Sequence, residues 1–566
     1  MMTPVTIGTC AGWLHGSKAD RGVLICGALA HEDLCTRSSL ALMAQRLAEA
    51  GVPVLRLDLT GMGQSGPLAD EADAWGQWQQ DVSAAAHMMR DTLGVTKLTL
   101  IGLRLGGSVL LEAAADLGVE HLSVDDLVLM APVLTGIQHL RELASFADND
   151  LSADIQSSLQ PIDLRRPKTC PAGNVFVMSA HRDAAMDAFE IHLETLGAKV
   201  WTSRFVHYDK LMCDPLTARV AVEAVDAVVA WTLRSVSTCQ RVPVALPKAA
   251  AIRGEGWQET RHVLGCSRNL AAVLTRPAPA VATQTSATSV IVVLNAGRTP
   301  SNGLGSQTLH LARTWAGLGL ATLRVDLPGI GDSPASSLKP SSDASNLFGD
   351  EQRRDLGQVV DWLRAQGLSD VSFLGIGSGA YQSFHTALED ARLDKVFLVN
   401  LPCFKWGATD VLRMASWTRS RASAMLKRLR ASERADVTPD AATLAEIALP
   451  LADKFAAGSA SALRRLATLS GATAAGNDVD RMFRELSDRG TQTVLIYTAG
   501  DASIAELDRW MGADGGRACA LPHVERHIIE TGDELLSSKK ARQTLGDLIA
   551  AHFHTKPAAQ DNRAAA

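Results

Sequence analysis

Short apolar runs alternate with amphipathic stretches along most of this chain. Residues 22–26 and 290–294 are apolar runs of strand length. A Gly-containing loop follows each, and then an amphipathic stretch, residues 38–50 and 306–317, with apolar positions at i, i+3 and i+4. Further strands are predicted at residues 52–57 and 321–325. Before the first run of each set, residues near Gly8 and Gly265 read as β-hairpins. Strands alternating with helices of about ten to fifteen residues predict an α/β fold, a mostly parallel sheet flanked by helices.

The pattern occurs twice. One copy holds Asp58-Leu59-Thr60-Gly61-Met62-Gly63-Gln64-Ser65, then Gly102-Leu103-Arg104-Leu105-Gly106. The other holds Asp326-Leu327-Pro328-Gly329-Ile330-Gly331-Asp332-Ser333, then Gly375-Ile376-Gly377-Ser378-Gly379. Asp58 and Asp326 stand almost as far apart as residues 104 and 377, as a tandem duplication would leave them. Later turns end in Asp183 and Asp501 at a wider offset. The second copy therefore carries roughly 45 extra residues, on the repeat logic. They fall in residues 406–486, Ala-, Arg- and Leu-rich, which read as a helical cap with Met414, Trp417 and Met425 in its own small core.

Size agrees with two units, because 566 residues exceed what one core of about 250–300 residues holds. The expected division is 1–235, a linker at 236–255, 256–555, and a disordered tail from 556. A net charge of −6 gives no reason to expect nucleic acid. The basic clusters at 419–421 and 427–430 read as solvated helix faces. No apolar span of about 18 residues occurs, so no transmembrane segment is expected. The start of the chain lacks a basic end followed by an apolar core, so no secretory signal is expected. Nine cysteines without CxxC pairs suggest reduced thiols and a cytoplasmic protein. No P-loop, dinucleotide fingerprint or metal-ligand cluster stands out, so no cofactor and no metal are expected.

With strand, tight turn and helix around each Gly-flanked apex, both halves resemble α/β-hydrolases. More closely, they are similar to the paired serine aminopeptidase-like hydrolases associated with exosortase and exopolysaccharide systems. The resemblance implies ester or acyl chemistry in surface-polysaccharide assembly, with a small-molecule or glycan-precursor ligand. It also implies a serine at each elbow apex, and there the chain departs from the pattern. Arg104 is protonated at any workable pH, and Gly377 has no side chain.

The remaining triad positions are uneven. Asp183 and Asp501 stand where an acid orients a histidine. His207 falls near the histidine position of the first copy, with Tyr208 the alternative occupant. Glu534 stands there in the second, and His523 and His527 read as surface residues. Ser378, one past the apex, is either a substitute nucleophile or a small packing residue. Ser108 lies deeper in its helix, and Cys403 reads as a packed thiol. His31 and Glu32 fall where such folds complete an oxyanion hole. Two readings of Arg104 stay open: it binds an anion with the N–H of Leu105, or it pairs with Asp183 as a structural ion pair. Three functional expectations follow. The chain is a degenerate ester or acyl hydrolase or acyltransferase, a non-catalytic binder or scaffold, or a hydrolase in which His207 and Asp183 activate water directly.

Overall fold

The structure is a computed structural model describing residues 2–16, 18–119, 122–146, 151–234, 249–265, 269–281, 288–334, 347–406, 475–533, 536 and 538–554. The linker expected at 236–255 falls largely outside these, as do nearly all of the expected cap, the basic clusters at 419–421 and 427–430, Glu534 and the tail.

Two sheets carry the chain. The first contains β1 Met2–Ile7, β2 Cys10–His15, β3 Arg21–Cys26, β4 Val54–Asp58, β5 Lys97–Leu103, β6 Ser123–Met130, β7 Asn174–Ser179 and β8 Lys199–Arg204. Their spatial order is β1-β2-β4-β3-β5-β6-β7-β8. The second contains β9 Ile252–Gly254, β10 Trp257–Leu264, β11 Leu270–Pro277, β12 Ser289–Leu294, β13 Ala321–Val325, β14 Asp370–Ile376, β15 Leu393–Val399, β16 Gln492–Thr498 and β17 Val524–Ile529. From β10 onward it repeats the same order, with β9 added at the hairpin edge. In each sheet the hairpin is antiparallel and the remaining strands are parallel. The chain is thus two α/β-hydrolase folds in tandem.

Parallel strands covered on both faces read as continuous apolar runs. Val23, Leu24, Ile25 and Cys26 are all buried, and so are Val290 to Leu294. Their side chains alternate between two cores, one on each face of the sheet. The helices that position the sites are α1 His31–Glu49, α2 Ala74–Leu93, α3 Leu105–Val119, α4 Gly136–Leu143, α5 Ala184–Thr195, α6 Ser378–Glu389 and α7 Lys539–His554. Helix α1 starts seven residues before its expected beginning. Its first turns carry His31, Glu32, Asp33 and Arg37, which are polar and yet point inward, so apolar periodicity alone misses them.

The Asp-x-x-Gly-x-Gly-x-Ser element proves to be a folding device, identical in both halves. Asp58 accepts from the N–H of Gln64 at 2.8 Å, and Asp326 from that of Asp332 at 2.9 Å. Ser65 donates to the carbonyl of Asp58 and accepts from the N–H of Ala11 on β2. Ser333 does the same with Asp326 and Ala271. A Cβ on Gly63 would lie 2.2 Å from the Asp58 carboxylate, and one on Gly331 2.3 Å from that of Asp326. Both glycines also sit at positive φ, so only glycine closes this turn.

The two motifs face each other across the junction of the halves, and each completes the other. Gln64 accepts from Arg324 of β13 at 2.8 Å, while Asp332 accepts from Arg56 of β4 at 2.7 Å. The partners stand at matching positions, so the exchange is reciprocal. Arg37 adds a contact to Asp332 at 3.0 Å and is held by Asp33 and Asp58. On the other side Glu259 takes both Arg324 and Arg313. Small apolar clusters flank this layer, Met2, Trp13 and Ala271 on one side and Ala11, Ile252, Trp257 and Ala316 on the other.

Candidate functional site

Residues 104 and 377 are the apices of strand-to-helix bends. Arg104 stands between β5 and α3 with φ 53°, and Gly377 between β14 and α6 with φ 56°. Each sends its N–H to the next strand at 2.9 Å, Arg104 to Met130 and Gly377 to Val399. The flanking glycines are obligatory because backbone crosses backbone here. A Cβ on Gly106 would lie 2.3 Å from the carbonyl oxygen of Gly27, and one on Gly379 2.3 Å from that of Leu294.

In the first half, Arg104 fills the apex with an ion-paired network. Its Nε donates to Glu32 at 2.8 Å, its Nη2 pairs with Glu142 of α4, and its Nη1 reaches the carbonyl of Ala131 at 3.3 Å. His139 of α4 lies beneath, its Nδ1 3.4 Å from Nη2 and its Nε2 3.8 Å from the second oxygen of Glu32. Arg104, Glu32 and His139 are all buried. Burial raises the pKa of Glu32, against the pull of Arg104. Burial, then Arg104, lowers that of His139 to about 3, so it is neutral. Burial opposes the charge on Arg104, but Glu32, Tyr208 and Glu142 reverse that and hold it firmly protonated.

This corrects the expectation that Arg104 pairs with Asp183. Asp183 is exposed, and its carboxylate caps α5 by accepting from the N–H of Met186 at 2.8 Å. Its spacing to the following helix is that of an N-cap, and the cap holds it. His207 is exposed at a left-handed φ of 60°, and no side-chain hydrogen bond joins it to Asp183. Tyr208 beside it lies within the field of Arg104 and Glu32 and packs on Phe205, so the residue next to His207 faces the apex. His31 is stacked on Phe146, with centroids 3.9 Å apart. Leu105 is the buried first residue of α3, and Ser108 donates to the carbonyl of Val133. The anion reading of Arg104 loses its donors too, because carboxylates and a carbonyl already occupy them.

In the second half the apex is bare. A Cβ at Gly377 would meet that of Ala296 at 3.0 Å. Ser378 accepts from the N–H of Gly297 at 2.9 Å and so ties down the neighbouring loop; no imidazole among the described residues bonds to it. That loop is covered by the first half, because Arg298 donates to the carbonyl of Leu216. Asp501 accepts from the N–H of Ser503 at 2.7 Å and from its hydroxyl. Its second oxygen is buried without a hydrogen-bond partner among the described residues, and burial raises its pKa. Cys403 is buried in the core under β15. His523 is exposed just before β17, and His527 is half-buried on β17, three strands across the sheet from β14.

A cavity of 550 Å³ opens between Leu122 and Cys170 to Gly173. It lies at the amino ends of β6 and β7, the end of the sheet opposite Arg104.

The partners of Arg104 were not readable in advance. Glu142 and His139 are brought in by α4 from a stretch with no motif. Glu32 was visible as a loop position only.

Residues 35–250 match the family of serine aminopeptidases, S33, which is less than half of the chain. No curated protein matches. Among solved structures, an esterase from Pyrococcus furiosus is 11% identical, with TM-score 0.32, covering 52% of this chain and 90% of its own. A dienelactone hydrolase from Anabaena variabilis is 13% identical, with TM-score 0.30, covering 53% and 99%. The esterase Est1E from Butyrivibrio proteoclasticus, bound to ferulic acid, is 19% identical, with TM-score 0.30, covering 41% and 98%. No described helix is long and apolar enough to cross a membrane.

Proposed function

We propose that this chain is a hydrolase-fold protein that has given up the serine acyl-enzyme route in both halves and serves as a binding or scaffolding component. The observation that carries the reading is the apex of the first half, where Arg104 is locked between Glu32 and Glu142. An acyl enzyme needs a nucleophile at the bend, a base within hydrogen-bond reach and an acid behind the base. Here the apex is a cation, the acid position caps a helix, and the nearest histidine, His139, is neutral and hydrogen-bonded to that cation. In the second half Gly377 offers no side chain, and the unpartnered oxygen of Asp501 is a group for a ligand to meet. A hydroxyl-bearing glycan precursor or an acylated metabolite suits it. The setting in surface-polysaccharide assembly rests on the sequence resemblance, a cytoplasmic location on the pattern of cysteines, and a duplicated ancestry on the repeated strand order.

The match of residues 35–250 to a hydrolase family favours the second reading, an active ester or acyl hydrolase. A fluorophosphonate probe and p-nitrophenyl butyrate separate the two. The binding reading expects no labelling and no turnover above buffer. Labelling that Ser378→Ala abolishes would establish the hydrolase instead.

A further inference from the structure

We propose that Glu525, His527 and His552 form a site for a divalent transition metal, zinc or nickel in class, at the outer edge of the second sheet. Glu525 and His527 are two apart on β17 and so project from one face of the strand. Helix α7 packs against that face and delivers His552. One donor atom from each of the three lies within 4.8 Å of the others. His552 Nε2 stands 2.7 Å from one oxygen of Glu525, and His527 Nε2 3.3 Å from the other.

The hydrogen bonds of His552 aim its Nε2 at the carboxylate. Its Nδ1 lies 2.8 Å from the carbonyl oxygen of Leu548, which only accepts, so Nδ1 carries hydrogen. Its Nε2 faces a carboxylate oxygen, which also only accepts. A neutral imidazole cannot satisfy both. Either a second proton or a metal ion stands on the Nε2 side, and the Nε2 of His527 points to the same carboxylate.

Two imidazoles and a carboxylate are a zinc donor set that leaves a fourth position open. Bonds of about 2.0–2.1 Å separate neighbouring tetrahedral donors by about 3.3 Å. The His527 contact already has that spacing, and the His552 contact has to open by about half an ångström, a small swing of a side chain. Outer partners are in place as well. Leu548 fixes the ring of His552, and Gln492 donates to Glu525 at 2.9 Å. Lys395 is the neighbouring cation, and it is spent on the carbonyl of His552 and the ring of Phe553. The site lies on the edge strand β17, three strands across the sheet from β14 and the Gly377 bend, so it is separate from the elbow. A metal there would pin the last described helix to an edge strand.

The test is calorimetry of the full chain, stripped with EDTA and with its thiols alkylated, titrated separately with ZnCl2 and NiCl2. One-to-one binding is expected, weakened about tenfold or more by His527→Gln and by His552→Gln. Cobalt substitution should give the visible absorption of a low-symmetry N/O site, lost in the same variants. His527 is half-buried, so His527→Gln decides the matter even if His552→Gln fails to fold. No saturable binding of either ion, or binding unchanged in His527→Gln, overturns the proposal.

Discussion

Asp332→Asn should loosen the junction between the halves, and the geometry says by how much. Asp332 is 1% exposed and holds two guanidinium groups, Arg37 and Arg56. Their charges hold its carboxyl down to about 2 even though burial opposes this. Arg37 keeps Asp33 and Asp58 when the charge at 332 is removed. Arg56 keeps no other carboxylate within ion-pair distance among the described residues, and stripping one partner from a buried pair costs about 3–5 kcal/mol. Some of this is returned, because the charge on Asp332 is one reason, after burial, that Asp326 is raised to about 7. The net expectation is a loss of about 3 kcal/mol. It is read by urea unfolding with intrinsic tryptophan fluorescence at neutral pH. The variant Arg56→Met should be damaged similarly. The double variant should recover about 1–3 kcal/mol of the summed loss, as coupled contacts do. An Asp332→Asn protein that unfolds at the wild-type urea concentration refutes the argument.

Other outcomes follow from the same contacts. Gly63→Ala and Gly331→Ala should each cost about 2–3 kcal/mol in urea unfolding, from a Cβ forced onto a carboxylate and a left-handed φ; a loss below about 0.5 kcal/mol would show that the turn can shift. Arg104→Ser restores a hydroxyl at the apex but brings no base, so fluorophosphonate labelling should stay at background, and strong labelling would mean that a histidine can reach it. His139 is neutral when folded and has a pKa lowered to about 3, so its contribution to stability is complete above the unfolded value near 6.5 and declines as the pH falls below it. Relative to His139→Gln, the wild type should lose about 1.4 kcal/mol per pH unit from pH 6 to pH 4. Parallel stability curves for the two proteins would show that His139 takes up a proton in the folded state.

How much of this was legible from sequence depends on how local each cause is. The strands at 22–26 and 290–294 were readable because burial on both faces leaves an unbroken apolar run. The elbows were readable because crossing backbones force glycine on either side of the apex. The start of α1 was hidden, because its inward face carries Glu32 and Arg37, whose partners come from distant segments. The fate of Asp183 was more available than it looked. An Asp at the start of an Ala-rich helix is an N-cap signal. Glu142, His139 and the exchange between the two motifs leave no pattern along the chain, since each depends on segments that meet only after folding.

That exchange changes what the segment between the halves is for. Arg56 takes its carboxylate, Asp332, from across the junction, and Arg324 adds Gln64 from across it to Glu259 and Asn302 of its own half. The covalent connection then serves to raise local concentration, and the surfaces themselves do the holding. A chain cut by a protease site introduced between residues 240 and 241 should elute from a gel-filtration column as one particle. Either fragment made by itself should be insoluble, or should seek a second copy of its own face as a substitute for the missing sibling.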